Sequence, residues 1–176
     1  MKLLHSRNID IECFALEDKK IKAIGLLDDD RGLPLQTYSG KKIPAGGDLH
    51  TMRVTLVLDE QLCIEQAEIE MLDTPGTQCL SIEQQSEQLL GLCIQRGFRR
   101  ALFERIGGIK GCMHVNTLLT QMAPAILQAS FAAKGQEGGL SEQQWLENIA
   151  DSCHVMRQDG EVMALKLQQL RTKQSA

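Results

Sequence analysis

The side chains best able to do chemistry in this 176-residue chain are gathered at a few points: Cys112-Met113-His114, Cys153-His154, and a single His50 and a single Cys79. Thiolate and imidazole are the usual donors of zinc sites and of some iron-sulfur sites, so metal ligation is the first chemistry to weigh. The spacing does not form two CxxC knuckles, which excludes a closed zinc-finger pattern. Cys112 follows Gly107, Gly108 and Gly111 at an expected helix start, where unpaired amides and the helix dipole favour thiolate over thiol. Inside a regular helix, residues two apart point about 200° apart, so Cys112 and His114 share an ion only if that first turn is loop-like. Cys79 follows Thr74-Pro75-Gly76 and occupies another expected helix start.

The elements that must position these groups follow from hydrophobic period. Two extended runs between Ile9 and Asp28 flank the polar turn Glu17-Asp18-Lys19-Lys20 and predict a hairpin. Irregular chain through Pro34, Gly40, Pro44, Gly46 and Gly47 leads to the clearest strand, Leu49 to Asp59. There His50, Met52, Val54, Leu56 and Leu58 share one face by the two-residue period. His50 is thereby aimed inward, where an imidazole needs a hydrogen-bond partner or a metal. Asp48, two residues earlier, is predicted on the same face, as ligand, as partner of His50 or as the strand's polar end. A second strand runs from Cys63 to Leu72.

Ser81 with Gln84 reads as a capping box opening a helical half. Its apolar positions run through Ile82, Leu89, Leu90, Cys93 and Ile94, then Phe98, Ala101, Leu102 and Ile106. Val115, Leu118, Leu119, Met122 and Ile126 make a second stripe, with Pro124 expected to kink or break it. Gly135 to Gly139 reads as a flexible link, and Ser141 with Gln144 caps a last helix whose stripe is Trp145, Ile149 and Cys153. A polar tail is expected after Asp159-Gly160. Cys13, Cys63 and Cys93 fit apolar faces and read as packing, as does Cys153 in its stripe, with His154 left open. Arg96, Arg99, Arg100 and Arg105 read as a solvated helix face or an anion site.

Composition narrows the classes. With a net charge of -4, one Trp and one Tyr, the chain carries no electrostatic or stacking footprint for nucleic acid. No apolar run at the start resembles a signal peptide and no stretch approaches a membrane span, so the cytoplasm is expected and a membrane is not. Six cysteines in a reducing compartment are expected as free thiols, core residues or ligands in preference to disulfides.

Two resemblances rest on these residues. Over most of its length the chain resembles an uncharacterised bacterial family of unknown function, with a Gly-x-x-His segment opening a strand, a Pro followed by Cys, a Gly-Phe helix, a Gly-Cys-Thr-His-Leu segment and a late Cys-His. The matching positions are Gly47-Asp48-Leu49-His50, Pro75 with Cys79, Gly97-Phe98, Gly111-Cys112-Met113-His114-Val115 and Cys153-His154, Met113 standing in place of Thr. That family implies no activity. Between about Ala45 and Ala133 the order of elements is similar to that of the U-type iron-sulfur cluster scaffold proteins. Here the resemblance is carried by Ala45-Gly46-Gly47-Asp48, by Asp59 to Ala67, and by Cys79 and Cys112. Gly46 replaces the first scaffold cysteine, Cys79 falls later than in those proteins, and His50 and His114 are additions.

The expectation is therefore an α+β protein, an antiparallel sheet packed on one face by helices in a scaffold-like two-layer domain. Residues 1–134 form the sheet-plus-helix part and 135–176 a C-terminal helical appendage of the same domain. A pocket holding zinc or an iron-sulfur centre through Asp48, His50, Cys79, Cys112 and His114, with Cys153 and His154 as further candidates, is the leading function. The alternatives are a Cys-dependent acyl or sulfur transfer enzyme, with Cys112 as nucleophile and His50 or His114 as base, and a non-catalytic accessory protein that binds a protein partner. The sequence fixes neither the oligomeric state nor whether the protein is an enzyme.

Overall fold

The computed structural model describes residues 1–136 and 141–174. The chain falls into two compact units, Met1–Ser130 and Phe131–Ala176.

In the first unit four strands, β1 (His5–Ala15), β2 (Ile21–Arg31), β5 (Gly47–Leu58) and β6 (Ile64–Asp73), form an antiparallel sheet in the order β1-β2-β5-β6. The short strands β3 (Leu35–Gln36) and β4 (Lys42–Ile43) pair with each other in the irregular connection between β2 and β5. Register explains which face is buried. Ile9, Leu27 and Met52 lie side by side across β1, β2 and β5, and so do Cys13, Ala23 and Leu56. The two-residue period then puts Ile21, Ala23, Leu27, Met52, Val54, Leu56 and Leu58 on one face, each at most 4% exposed. Each large apolar side chain so buried contributes roughly 1.5–3 kcal/mol.

Helices cover that face. α1 (Phe98–Ile106) buries Phe98, Leu102 and Ile106, and α2 (Met113–Gln136) buries Val115, Leu118, Leu119, Met122 and Ile126, the three-and-four spacing of a single helix face. α2 packs tightly on the sheet at Gly25, where a Cβ would lie 2.7 Å from Met122 Sδ and 3.0 Å from Leu118 Cδ1. A glycine in the middle of a strand marks such a contact. Pro124 does not end α2, which continues through it to Gln136 with the proline on the exposed side.

Three expectations are corrected in this unit. The segment opened by Ser81 and Gln84 is a run of tight 3-10 turns over Thr77–Leu89, and the Ser81 hydroxyl donates to Gln78 O instead of capping a helix. The reason is its polar sequence, which buries only Leu89. It serves instead to cover the edge strand, with the Glu83 carboxylate accepting from the Met71 N–H at 2.8 Å. Strand β6 starts at Ile64, one residue later than expected, with a register shift near Leu58 that brings Ile64 inward. Cys63 and Cys93 are not free packing residues: they face each other across an antiparallel bridge and are joined by a disulfide. Of the arginines, Arg105 donates to the carbonyls of Gln88 and Leu90 at 2.9 and 2.7 Å, and Arg100 pairs with Glu104 one turn on.

The second unit holds α3 (Glu142–Ile149) and α4 (Glu161–Gln174) around a small core of Leu146, Ile149 and Met163, joined by Phe131, Ala150 and Met156. The expected capping box is present: Gln144 N–H donates to Ser141 Oγ at 3.2 Å and Ser141 N–H to Gln144 Oε1 at 3.0 Å. Helix α4 replaces the expected polar tail, because Met163, Ala164, Leu165, Lys166 and Leu167 are all strong helix formers. Cys153 lies beyond the end of α3 and is exposed, so it does not complete that helix's apolar stripe. Part of the Gly135 to Gly139 link and the Trp145 side chain lie outside the described residues. Among the described residues no helix is long and apolar enough to cross a membrane.

Candidate metal centre

At one end of the buried face the apolar rows give way to a polar one. Arg7 of β1, Asp29 of β2 and His50 of β5 are direct cross-strand neighbours, one row beyond Ile9, Leu27 and Met52. Continuing the inward period of β2 places the Asp29 carboxylate under the helical layer, where its side chain is 1% exposed. Such a charge must be paired. Arg7 supplies the pairing, donating through Nε and Nη2 to the two carboxylate oxygens at 2.6 Å each, a two-pronged geometry suited to a guanidinium. Burial by itself pushes the Asp29 carboxyl up. The hydrogen bonds and charge of Arg7 outweigh that and hold it below the ordinary carboxylate value.

The fourth member comes from the helices. Cys112 O accepts the first helical bond of α2, from Asn116 N–H at 3.0 Å, so Cys112 stands at the cap and His114 in the first turn. The Asn116 side-chain amide fixes this start by donating to Ile106 O at 2.7 Å and Cys112 O at 3.0 Å. Gly111 is needed just before it, since a Cβ there would lie 2.3 Å from Ile106 O. So held, His114 stacks on His50 with ring centroids 4.0 Å apart and planes 29° from parallel.

Both imidazoles turn a nitrogen toward the same carboxylate oxygen. His114 Nε2 lies 3.4 Å and His50 Nδ1 3.7 Å from Asp29 Oδ2. His50 Nδ1 is buried and has no hydrogen-bond partner among the described residues. Burial, with a second contribution from His114, depresses the His50 pKa to about 4, and burial likewise lowers that of His114. Burial thus favours the neutral form of both rings, and each turns one nitrogen toward the same carboxylate oxygen. Asp29, His50 and His114 offer three donor atoms within 4.8 Å of one another. Ligands at about 2.0–2.2 Å from a tetrahedral zinc ion are spaced about 3.4 Å apart, which matches the 3.4 Å from Oδ2 to His114 Nε2 and is 0.3 Å short of the 3.7 Å to His50 Nδ1.

Cys112 meets this group from the far side of His114: its sulfur is 3.6 Å from Nδ1, the nitrogen turned away from Asp29. That is the place of a partner that orients a ligand, as donors around metal-bound histidines do. His5 Nε2, on the row beyond, is 3.5 Å from Asp29 Oδ1.

Of the residues singled out by sequence, His50, Cys112 and His114 come together. Asp48 does not join them, because a register shift pairs Asp29 with His50 and Asp30 with Asp48, leaving Leu49 as an extra residue. That bulge reverses the expected alternation, and Asp48 lies instead within reach of Asp28 and Asp30. Cys79 sits beside Tyr38, 3.8 Å from its hydroxyl. Cys153 and His154 are exposed in the second unit, where His154 contacts Arg157 at 3.3 Å. Asp29, Arg7 and His5 are the participants that sequence reasoning missed. For Asp29 a signal was present: Ile21, Ala23, Gly25 and Leu27 set an inward period that reaches it next, although Asp28-Asp29-Asp30 looks like the start of a loop.

The model of a family described as a protein of unknown function, DUF2889, matches residues 5–128, a span that includes every group of the cluster. No curated protein and no solved structure matches the chain, the iron-sulfur scaffolds included.

Proposed function

The chain belongs to the DUF2889 family, and for it we propose a mononuclear metal-binding protein whose ion is held by Asp29, His50 and His114. The observation that carries this reading is the orphaned His50 Nδ1, buried beside a carboxylate oxygen at a distance too long for a good hydrogen bond and right for a shared ion. Two imidazoles and one carboxylate favour zinc or a similar first-row divalent ion. They disfavour an iron-sulfur cluster, which is held chiefly by thiolates. Three protein donors leave coordination positions for water or a substrate, the arrangement of metal sites that polarise a ligand rather than merely brace a fold. Cys112 acts through His114, accepting from Nδ1–H and so keeping Nε2 free to bind.

The test is metal analysis of untagged protein after zinc loading and dialysis. One ion per chain is expected, lost in His50→Ala and His114→Ala. In Cys112→Ser the stoichiometry persists, with affinity lowered about 10–100-fold, the usual effect of removing a ligand's partner. A wild-type protein that retains no zinc sinks the reading.

A second reading is favoured by one further observation. His114 stands between Cys112 Sγ and Asp29 Oδ2, with contacts of 3.6 and 3.4 Å at its two ring nitrogens. This is the order of a thiol, its base and the group that orients the base. In that case Cys112 is the nucleophile of an acyl or sulfur transfer. Rapid alkylation of Cys112 at neutral pH, slowed strongly in His114→Ala and unaffected by zinc chelation, would replace the metal reading with this one.

A further inference from the structure

The polar row is followed by another whose charge the ligand set does not explain. Arg31 comes two residues after Asp29 on β2 and pairs across to His5 on β1 and Gly47 on β5. The period that turns Asp29 inward turns Arg31 to the same face, about 7 Å along the strand. Its Nε is buried and has no hydrogen-bond partner among the described residues. Arg7 is already committed to Asp29 through both prongs of its guanidinium. A buried guanidinium nitrogen left without a partner is costly unless something else meets it.

Charge points to what that is. A divalent ion among two neutral imidazoles and the Asp29–Arg7 pair carries a net positive charge, and Arg31 adds one more. The place is also reachable, since the His5 and Arg7 side chains at the β1 side are 41% and 31% exposed while Asp29 is 1% exposed. Arginine presents its donors in a planar fork that fits carboxylate or phosphate oxygens.

Resting on the metal reading above, we propose that the substrate or ligand of this centre is a small molecule bearing an oxyanion, one oxygen bound to the metal ion and another accepting from Arg31. The shared chemistry is that of a carboxylate or a phosphate group.

The experiment uses the full chain loaded with cobalt(II), whose visible spectrum reports a change of ligand, titrated separately with inorganic phosphate and with acetate. The expected result is a saturable spectral change with at least one of the two, the one that responds identifying the class. In Arg31→Gln the dissociation constant for that anion rises by about tenfold or more, the usual scale for loss of a charged contact. Arg31→Lys, which keeps the charge and is the milder change, recovers phosphate binding in part and acetate binding less, because lysine lacks the planar fork. Cobalt bound in full but indifferent to both anions overturns the oxyanion proposal alone, as does equal anion affinity in wild type, Arg31→Gln and Arg31→Lys. Failure to take up cobalt overturns the metal reading and this proposal with it.

Discussion

Asp29 is the residue on which the cluster turns, because it is the one group that touches Arg7, His5, His50 and His114. Replacing it by Asn removes the charge and leaves Arg7 beside a neutral amide. Loss of one partner of a buried pair costs on the order of 3 kcal/mol, so Asp29→Asn is expected to lose zinc and to unfold at lower urea in metal-free form. Equal urea midpoints for the variant and wild type would contradict the pairing. The histidines set a pH dependence of known sign. In the chelated, metal-free protein His50 titrates near 4 against an ordinary value of 6.5. Between those values the unfolded chain binds a proton that the folded chain does not, so stability falls as pH drops from about 6.5 toward 4. Below that range Asp29 adds a loss in the same direction, since its carboxyl is held below its ordinary 3.8. Melting temperatures from pH 7.5 down to pH 4 should show the decline, and His50→Gln should flatten its upper part.

At the scale of elements, the site depends on how α2 begins. Gly111 lies against the backbone of Ile106, and Asn116 ties Ile106 O to Cys112 O. The obstacle to a larger residue at Gly111 is steric: its φ of -158° is ordinary extended backbone. Gly111→Ala must therefore displace either Ile106 or the Cys112 turn, with an expected cost of about 1–3 kcal/mol, typical of overpacking. Asn116→Ala removes two hydrogen bonds for about 1–2 kcal/mol. Both should weaken zinc binding although neither residue is a ligand, which chelator competition would measure. Unchanged affinity in both variants would mean that the start of α2 does not position His114.

For the whole molecule, the disulfide between Cys63 and Cys93 closes a loop of 30 residues that contains β6 and the covering segment Thr77–Leu89. A loop of that length contributes about 3–4 kcal/mol by restricting the unfolded chain. Urea unfolding with and without reductant should differ by that amount, and Cys63→Ser with Cys93→Ser should match the reduced protein. Indifference to reductant would show that the bond adds nothing to stability.

The local sequence was enough for the sheet's central strands and the apolar stripes of α1 and α2, because period-two and three-to-four spacing are properties of neighbouring residues. It also marked His50, Cys112 and His114 by residue type, and the cap that opens α3. The polar run at Thr77–Leu89 misled because a capping pair carries little weight without an apolar face behind it. What only the tertiary structure decided is which polar groups meet. Asp29 and Arg7 are 22 residues apart and Asp29 and His50 are 21 apart, joined by strand register, which no local pattern specifies. One extra residue, Leu49, sends Asp48 away from His50, and the packing of α2 over the sheet brings His114 to both. Side-chain type is written in the chain, whereas convergence at one carboxylate depends on long-range pairing.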